Sequence, residues 1–210
     1  EAQEHLERAL ELDPNVAATR TNLGNILLRR GEAGRAVEHF RRALNLEFGL
    51  AEAHYGLGMA HYALKEFPQA LASLERALAA RPNFAKALIN LGVILQEQGR
   101  PEQALTHFRR AVDLVPDDTR AANNLVAVLL RVGEIDEARR VFEQAAARRV
   151  HLPHARKALV QALTGMAQAY AEKDHFAAAA ERQRQAIALT PQKLRERLVR
   201  QLAIYESNMR

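Results

Sequence analysis

The 210-residue sequence contains no cysteine and no tryptophan, and only 5% of its residues are aromatic. The absence of cysteine excludes disulfide frameworks, thiolate metal sites and cysteine nucleophiles. Only two serines occur, Ser73 and Ser207, so there is little scope for serine catalysis. The longest fully aliphatic run, Leu125 to Leu130, is far shorter than a membrane span, and no signal-peptide pattern is present.

A large excess of charge of one sign is also lacking, because 30 basic and 25 acidic residues give a net charge of +5. The charge is nevertheless uneven. Residues 1–105 carry 12 bases and 13 acids, whereas residues 106–210 carry 18 bases and 12 acids. The basic C-terminal half permits an anionic partner without requiring one.

What the sequence does contain is an internal repeat of constant length. Small and apolar residues recur at the same spacing in three series: Ala2, Ala36, Ala70, Ala104 and Ala138; Ala9, Ala43, Ala77, Ala111 and Ala145; and Leu6, Phe40, Leu74, Phe108 and Phe142. The pairs Leu23-Gly24, Leu57-Gly58 and Leu91-Gly92 follow the same period. After one longer step the two alanine series resume at Ala179 and Ala186.

Within each repeat the apolar residues have helical spacing. Leu88, Leu91 and Leu95 lie three and four residues apart, a break follows at residues 98–101, and a second apolar stripe covers residues 104–111. Each repeat is therefore predicted to be a helix–turn–helix unit. Its alanines and glycine would allow the helices to cross closely, and a proline would stop the second helix.

This pattern resembles the tetratricopeptide repeat (TPR) family, through the Leu-Gly pair, the two spaced alanines, the aromatic residue between them and the closing proline. The resemblance implies an all-α solenoid of TPR helix pairs, a right-handed superhelix of about twelve helices. The sequence departs from the family pattern at four positions. Phe48 and Val150 stand where the pattern has proline, and Val126 and Ala167 stand where it has glycine. Residues 169–189 are similar to the closing repeat of many bacterial TPR proteins.

The repeat divides the chain into four parts. We expect the second helix of an incomplete repeat over 1–16, four equal repeats over 17–152, a fifth, extended repeat over 153–193 and a capping helix over 194–210. Proline at position 153 predicts a long helix over about 153–172, because proline suits the first helical position. A last helix near 192–207 is expected to present one apolar stripe, formed by Leu194, Leu198, Leu202 and Tyr205.

Residues 2–14 match only the second helix of a unit. Their packing face therefore lacks one expected neighbour, and it is a candidate assembly face, made of Ala2, Leu6, Ala9 and Leu10. Either the array continues in a longer protein, or another molecule supplies the missing contact.

Enzymatic motifs are nearly absent. Gly56-Leu57-Gly58 begins like a dinucleotide loop, but it lacks the third glycine and a preceding strand. His54 and His61 stand seven residues apart at packing positions, which predicts hydrogen-bonded core histidines rather than metal ligands. We therefore predict a protein that is not an enzyme and needs no cofactor or metal.

The resemblance implies that the first helices of the units line a concave groove. Carried over position by position, the groove residues are Asn22, Asn25, Tyr55, Met59, Tyr62, Lys86, Ile89, Asn90, Val93, Asn123 and Asn124. The apolar middle of this set suits an amphipathic helix or an extended peptide, or it packs within the array itself. The series Asn22, Asn90 and Asn124 is similar to an asparagine ladder in which each amide donates to and accepts from a peptide backbone, although asparagine is also simply common at this position.

Four bases cluster around the insertion with no acid between them: Arg148, Arg149, Arg156 and Lys157. Nucleic acid would require stacking aromatic residues as well, and residues 143–169 contain none. The cluster is therefore expected to be a solvated rim or a contact for an acidic protein.

These observations favour a non-catalytic scaffold that binds a peptide or helix in its groove. Its partner would be a protein or peptide, not nucleic acid. Two alternatives remain open at this stage. One is a self-assembling subunit that forms a filament by end-to-end stacking, so that the partner is another copy. The other is an accessory interaction domain of a larger enzyme.

Overall fold

The computed structural model describes residues 2–209, except for the side chain of Ala2. Over that range the chain forms twelve α-helices and one short 3₁₀ helix, as the all-α prediction requires. The helices are α1 (Ala2–Leu12), α2 (Ala17–Arg29), α3 (Ala33–Leu46), α4 (Ala51–Ala63), α5 (Phe67–Ala80), α6 (Ala85–Glu97), α7 (Pro101–Leu114), α8 (Thr119–Arg131), α9 (Ile135–Ala147), α10 (Pro153–Ala171), α11 (Phe176–Leu189) and α12 (Glu196–Ser207). The 3₁₀ helix spans Gln192–Leu194.

The chain divides into two compact units, one up to residue 114 and the other from residue 115. In the first unit the pairs α2–α3, α4–α5 and α6–α7 each pack together, and each pair also contacts the next. In the second unit α8 packs with α9 and α10 packs with α11, while α12 covers α11. The division of the sequence into repeats of equal length stays a prediction.

Close helix crossings depend on glycine and a buried aromatic ring. The Phe40 ring lies against two glycines, so that a Cβ added to Gly24 would come 2.8 Å from its Cε1 and one added to Gly56 only 2.3 Å from its Cζ. Gly92 stands in the same relation to Phe108, at 2.7 Å. A larger side chain at these positions would push the helices apart, as the sequence pattern indicated.

The turn inside each of several helix pairs contains one residue in the left-handed region of backbone conformation. Gly31, Gly99 and Gly133 occupy it with φ of 81°, 71° and 85°, and Lys65 occupies the equivalent place with φ of 61°. Asp174 takes the corresponding place in the extended repeat, with φ of 59°. The recurrence of these glycines at the repeat spacing is a sequence signal of the turn.

The long helix in the second unit, α10, has 19 residues and spans Pro153–Ala171. This range agrees with the predicted helix over about 153–172. Proline suits this first position, because the N–H that it lacks would have no hydrogen-bond acceptor within the helix there. Leu159, Leu163 and Ala167 along one face are completely buried.

The single C-terminal helix predicted over 192–207 is wrong in its first turn. The chain forms the 3₁₀ helix there, and α12 begins only at Glu196. Leu194 therefore falls outside the expected apolar stripe and is 70% exposed. Tyr205 is buried against Ala167, Ala179 and Ala180, while Leu198 and Leu202 are half-buried.

The N-terminal helix α1 is already packed in part. Leu6 and Leu10 lie against the core of the first unit, whereas Ala9 is exposed and Leu12 is 79% exposed. The side chain of Ala2 lies outside the described residues. The role of this face in assembly stays a prediction.

Candidate functional site

An open cleft of about 840 Å³ lies in the first unit, between α1, α2 and α4. Four of the predicted groove residues line it together: Asn22 and Asn25 from α2, and Tyr55 and Met59 from α4. Further lining residues come from α1 and from the rest of α2, and they are His5, Leu6, Ile26, Leu28 and Arg29. His5 and Leu6 were not predicted to line the groove, because the carried-over positions lie on the first helix of each unit, whereas α1 forms a wall of its own.

Helical spacing sets the two faces of the cleft. Asn22 and Asn25 are three residues apart on α2, and Tyr55 and Met59 are four residues apart on α4, so each pair projects from one side of its helix. The α2 side offers amide donors and acceptors, while the α4 side offers an aromatic ring and a thioether. Met59 is half-buried and unbranched, and such a side chain adapts its shape to different apolar groups.

Gly56 interrupts the asparagine series for a packing reason. It stands one repeat after Asn22 and one repeat before Asn90, where a continuous ladder would place an asparagine. Any side chain there would meet the Phe40 ring, because a Cβ would lie 2.3 Å from Cζ. The gap in the series follows from the core of the first unit.

Tyr55 and Asn90 are joined across the first unit. The Asn90 amide nitrogen donates to the Tyr55 hydroxyl oxygen at 2.8 Å and to the Lys86 carbonyl at 3.0 Å. The Tyr55 ring also packs against Phe84, with the ring centroids 5.1 Å apart. Both donor hydrogens of Asn90 are therefore used within the protein, and its role in binding a peptide backbone stays a prediction.

Two charged residues hold Phe84 in place behind Tyr55. The Arg81 guanidinium lies 4.8 Å from the centroid of the Phe84 ring and forms an ion pair with Glu52. The hydrogen bond that Arg81 donates to the Glu52 carboxylate lowers the pKa of Glu52 below its usual value. Residues of the turn between α5 and α6 thus support the Tyr55 ring from behind.

Tyr62 lies about one turn after Met59 on α4, and its side chain reaches the C-terminal end of α6. Its hydroxyl donates to a Glu97 carboxylate oxygen at 2.7 Å, and its ring lies 6.1 Å from Phe67 between centroids. The Glu97 carboxylate accepts this hydrogen bond, and with burial it raises the pKa of Tyr62. Tyr62 therefore links α4 to α6 and does not border the cleft described above.

Three predicted groove residues on α6 differ in access to solvent. Lys86 is exposed and Val93 is half-buried. Ile89 is only 2% exposed, so its expected role as an apolar anchor for a ligand is wrong. The buried face of α6 is wide, with Ala87, Leu88 and Ile89 all buried in succession, because this helix is covered on more than one side.

Asn123 and Asn124 belong to the second unit, where both are half-buried on α8. The Asn123 side-chain oxygen is shielded from solvent and finds no hydrogen-bond partner among the described residues. Whether either residue binds a peptide stays a prediction.

The basic cluster is also in the second unit. Arg148 is the C-cap residue of α9, and Arg149 follows with a positive φ of 63°. The Arg156 guanidinium lies 5.8 Å from the centroid of the Phe142 ring. Lys157 is exposed on the first turns of α10. Within residues 2–209 none of these four side chains forms an ion pair.

The two histidines of α4 are core residues, as predicted. His54 is buried and its Nε2 is hydrogen-bonded to the Phe48 carbonyl at 2.8 Å, and buried His61 contacts the Glu66 carboxylate. Burial lowers the pKa of His54. In the described part of the chain, no three His, Asp or Glu side chains converge where they could hold a metal ion. None of the described helices is long and apolar enough to cross a bilayer.

Comparison with known proteins gives a consistent result. Two family models, both described as tetratricopeptide repeat, match the chain, one over residues 1–50 and 55–119 and the other over residues 95–163. The solved structure of YrrB, described as a TPR protein with an unusual peptide-binding site, is 26% identical with a TM-score of 0.68, over 93% of this chain and 96% of that one. A MamA structure is 26% identical with a TM-score of 0.64, over 70% of this chain and 86% of that one.

A structure of PilF from Pseudomonas aeruginosa shares the fold at 22% identity, with a TM-score of 0.64, over 89% of this chain and 82% of that one. No curated protein sequence matches this chain.

Proposed function

This chain belongs to the tetratricopeptide repeat family, and from that premise we propose that its α1–α2–α4 cleft captures a peptide segment of a partner protein. The family and the related structures make it a protein-interaction scaffold. The observation that carries the finer proposal is the meeting of Asn22 and Asn25 with Tyr55 and Met59 in one open cleft. No catalytic step is proposed for it.

The chemistry of the two walls supports a peptide ligand. An amide side chain pairs with a peptide unit because it offers one acceptor oxygen and two donor hydrogens. Asn22 is exposed and Asn25 is half-buried, so both reach the cleft. An apolar side chain of the peptide would pack on Met59 and the Tyr55 ring, which contributes most of the affinity in such grooves.

The dimensions of the cleft also support this ligand class. Its volume of about 840 Å³ lies within the range of ligand-binding clefts, about 300–1,000 Å³. The neighbouring protein YrrB is described as having a peptide-binding site of its own.

The proposal is tested by selecting binders from a displayed random peptide library on the immobilised protein. We expect enriched peptides to lose at least about tenfold in affinity when Asn25→Ala and Met59→Glu are combined, because one hydrogen bond and one apolar contact are removed. The matched control combines Asn45→Ala and Leu46→Glu on α3, both exposed residues outside the cleft. A selection in which every enriched peptide binds the cleft variant as well as it binds the wild type would contradict the proposal.

A second candidate function is self-assembly, which the exposed Leu12 favours. An apolar side chain that is 79% exposed at the end of a helix is a ready contact for another copy. Light scattering on a sizing column measures mass against concentration. Mass that grows with concentration and is restored to the monomer by Leu12→Glu would support this candidate, and a monomer at every concentration would exclude it.

A further inference from the structure

A second, smaller cleft lies in the second unit, between the start of α10 and the turn after α11. Its volume is about 360 Å³, and its apolar lining includes Val160, Leu189 and Leu194. Its rim is formed by His151, Arg156 and Lys157. The cleft is separate from the peptide groove proposed above, in both location and chemistry.

Leu194 gives this cleft its exposed apolar surface. It is 70% exposed although its backbone is well held: its N–H donates to the Pro191 carbonyl at 2.9 Å, and the Arg195 side chain donates to the Thr190 carbonyl at 2.6 Å. A large apolar side chain held in water by an ordered turn favours burial by a partner.

The charged residues that line the cleft have one sign. The two segments that supply its lining, residues 151–161 and 189–194, contain Arg156, Lys157 and Lys193 and no Asp or Glu. Arg156 and Lys157 form no ion pair among the described residues. Arg156 is held against the Phe142 ring, which fixes its position at the rim.

We propose that this cleft binds an acidic peptide segment of a partner protein. One apolar side chain of the peptide would enter between Val160, Leu189 and Leu194, and flanking carboxylates would lie against Arg156 and Lys157. Carboxylates complement these two unpaired cations, which gives the site both attraction and specificity. Nucleic acid fits less well, because residues 143–169 contain no phenylalanine, tyrosine or tryptophan on which a base could stack.

The test uses fluorescence anisotropy with a fluorescein-labelled peptide that carries one central leucine between glutamates. Two reference peptides replace the glutamates by glutamine or the leucine by serine. We expect the first peptide alone to bind well, with an affinity that falls as salt is added, because salt screens exposed charges.

Two variants of the protein test the two halves of the site. Lys157→Glu should weaken binding at least about tenfold through charge reversal at the rim. Leu194→Ser should weaken it about tenfold through loss of apolar burial. Both side chains are exposed, so neither variant should lower the Tm appreciably. The matched controls, Lys173→Glu and Ile204→Ser, change exposed residues that do not line the cleft and should bind like the wild type.

Several results would overturn the proposal: no binding of the glutamate peptide, equal binding of either reference peptide, or unchanged affinity in Lys157→Glu and Leu194→Ser. The mass of the protein in solution could also grow with concentration, and Leu194→Ser could abolish that growth. This result would assign the cleft to a second copy of the chain and would also overturn the proposal. Binding of the acidic peptide should be unchanged in the Asn25→Ala, Met59→Glu variant, so the two sites can fail independently.

Discussion

At the scale of single residues, Lys65 stands where other helix pairs have glycine. Its φ of 61° lies in the left-handed region, which disfavours a residue with a Cβ by about 1–2 kcal/mol. Lys65→Gly should therefore raise the free energy of unfolding by about 1 kcal/mol, although glycine also loosens the unfolded chain. Urea unfolding followed by circular dichroism measures the change.

The matched control is Lys86→Gly, at an exposed position within α6. Glycine should lower the free energy of unfolding there by up to about 1 kcal/mol, because the backbone is helical. A change of the same sign in both variants would contradict the role given to the backbone at Lys65.

Gly56 illustrates the opposite case, in which a glycine is required for space. Gly56→Ala would place a Cβ 2.3 Å from Cζ of Phe40, whose ring is fully buried. We expect a loss of about 1–3 kcal/mol in the free energy of unfolding, because the core must shift. Gly34→Ala is the control, since no atom lies within 4 Å of its added Cβ, and it should be neutral or stabilising. Equal stability of the two variants would show that Phe40 does not close the space above Gly56.

At the scale of helices, one ion pair ties α11 to α9. Arg182 donates two hydrogen bonds to the Asp136 carboxylate, which is 46 residues away in the sequence, and the Arg182 side chain is only 19% exposed. The guanidinium holds the pKa of Asp136 below its usual value. Arg182→Lys keeps the charge but removes the paired geometry, so we expect a loss of about 1 kcal/mol in thermal or urea unfolding.

Arg184→Lys provides the comparison two residues along the same helix. Arg184 pairs with Glu206, but its side chain is 50% exposed, so this substitution should change stability by less than about 0.5 kcal/mol. If Arg184→Lys were as destabilising as Arg182→Lys, burial would not explain the strength of the α9–α11 pair.

The helices were largely predictable because their cause is local. Apolar period, small residues at crossings and Pro153 as a first helical residue are all visible in the sequence. The errors arise where packing decides: the chain turns through a 3₁₀ helix at Leu194, and Ile89 is buried because α6 is covered on more than one side.

The groove could be predicted in part for the same reason. Asn22, Asn25, Tyr55 and Met59 line one cleft, as their positions on first helices suggested. The wall supplied by α1 and the hydrogen bond between Asn90 and Tyr55 could not be foreseen, because they depend on contacts between distant segments and on side-chain orientation.

At the scale of the molecule, three histidines of the first unit make its stability depend on pH. Burial lowers the pKa values of His39, His54 and His107 below 6.5, with nearby arginines acting in the same direction. The unfolded chain then binds protons more readily than the folded chain. The free energy of unfolding is therefore highest, as far as these histidines are concerned, above the unfolded pKa of about 6.5. It decreases as the pH falls from there through the lower pKa values of the folded state.

We expect urea unfolding midpoints to decrease between about pH 7.5 and about pH 5.5, before most carboxylates titrate. The pKa values of Glu52 and Asp136 are lowered from 4.5 and 3.8, so their contributions are lost only under more acidic conditions. Combining His39→Gln with His107→Gln should make the pH dependence shallower. Stability that is constant or rises on acidification would contradict the assignment.

Peptide capture in the α1–α2–α4 cleft can be followed through the signal of a single methionine. The chain contains three methionines, and only Met59 lines that cleft, while Met166 and Met209 belong to the second unit. The most direct measurement is therefore an NMR titration of methyl-¹³C-methionine protein with a peptide selected from the library. Binding of the peptide in this cleft should give a saturable shift of the Met59 methyl signal, with the other two unchanged. A saturated complex in which the Met59 signal has not moved would contradict it.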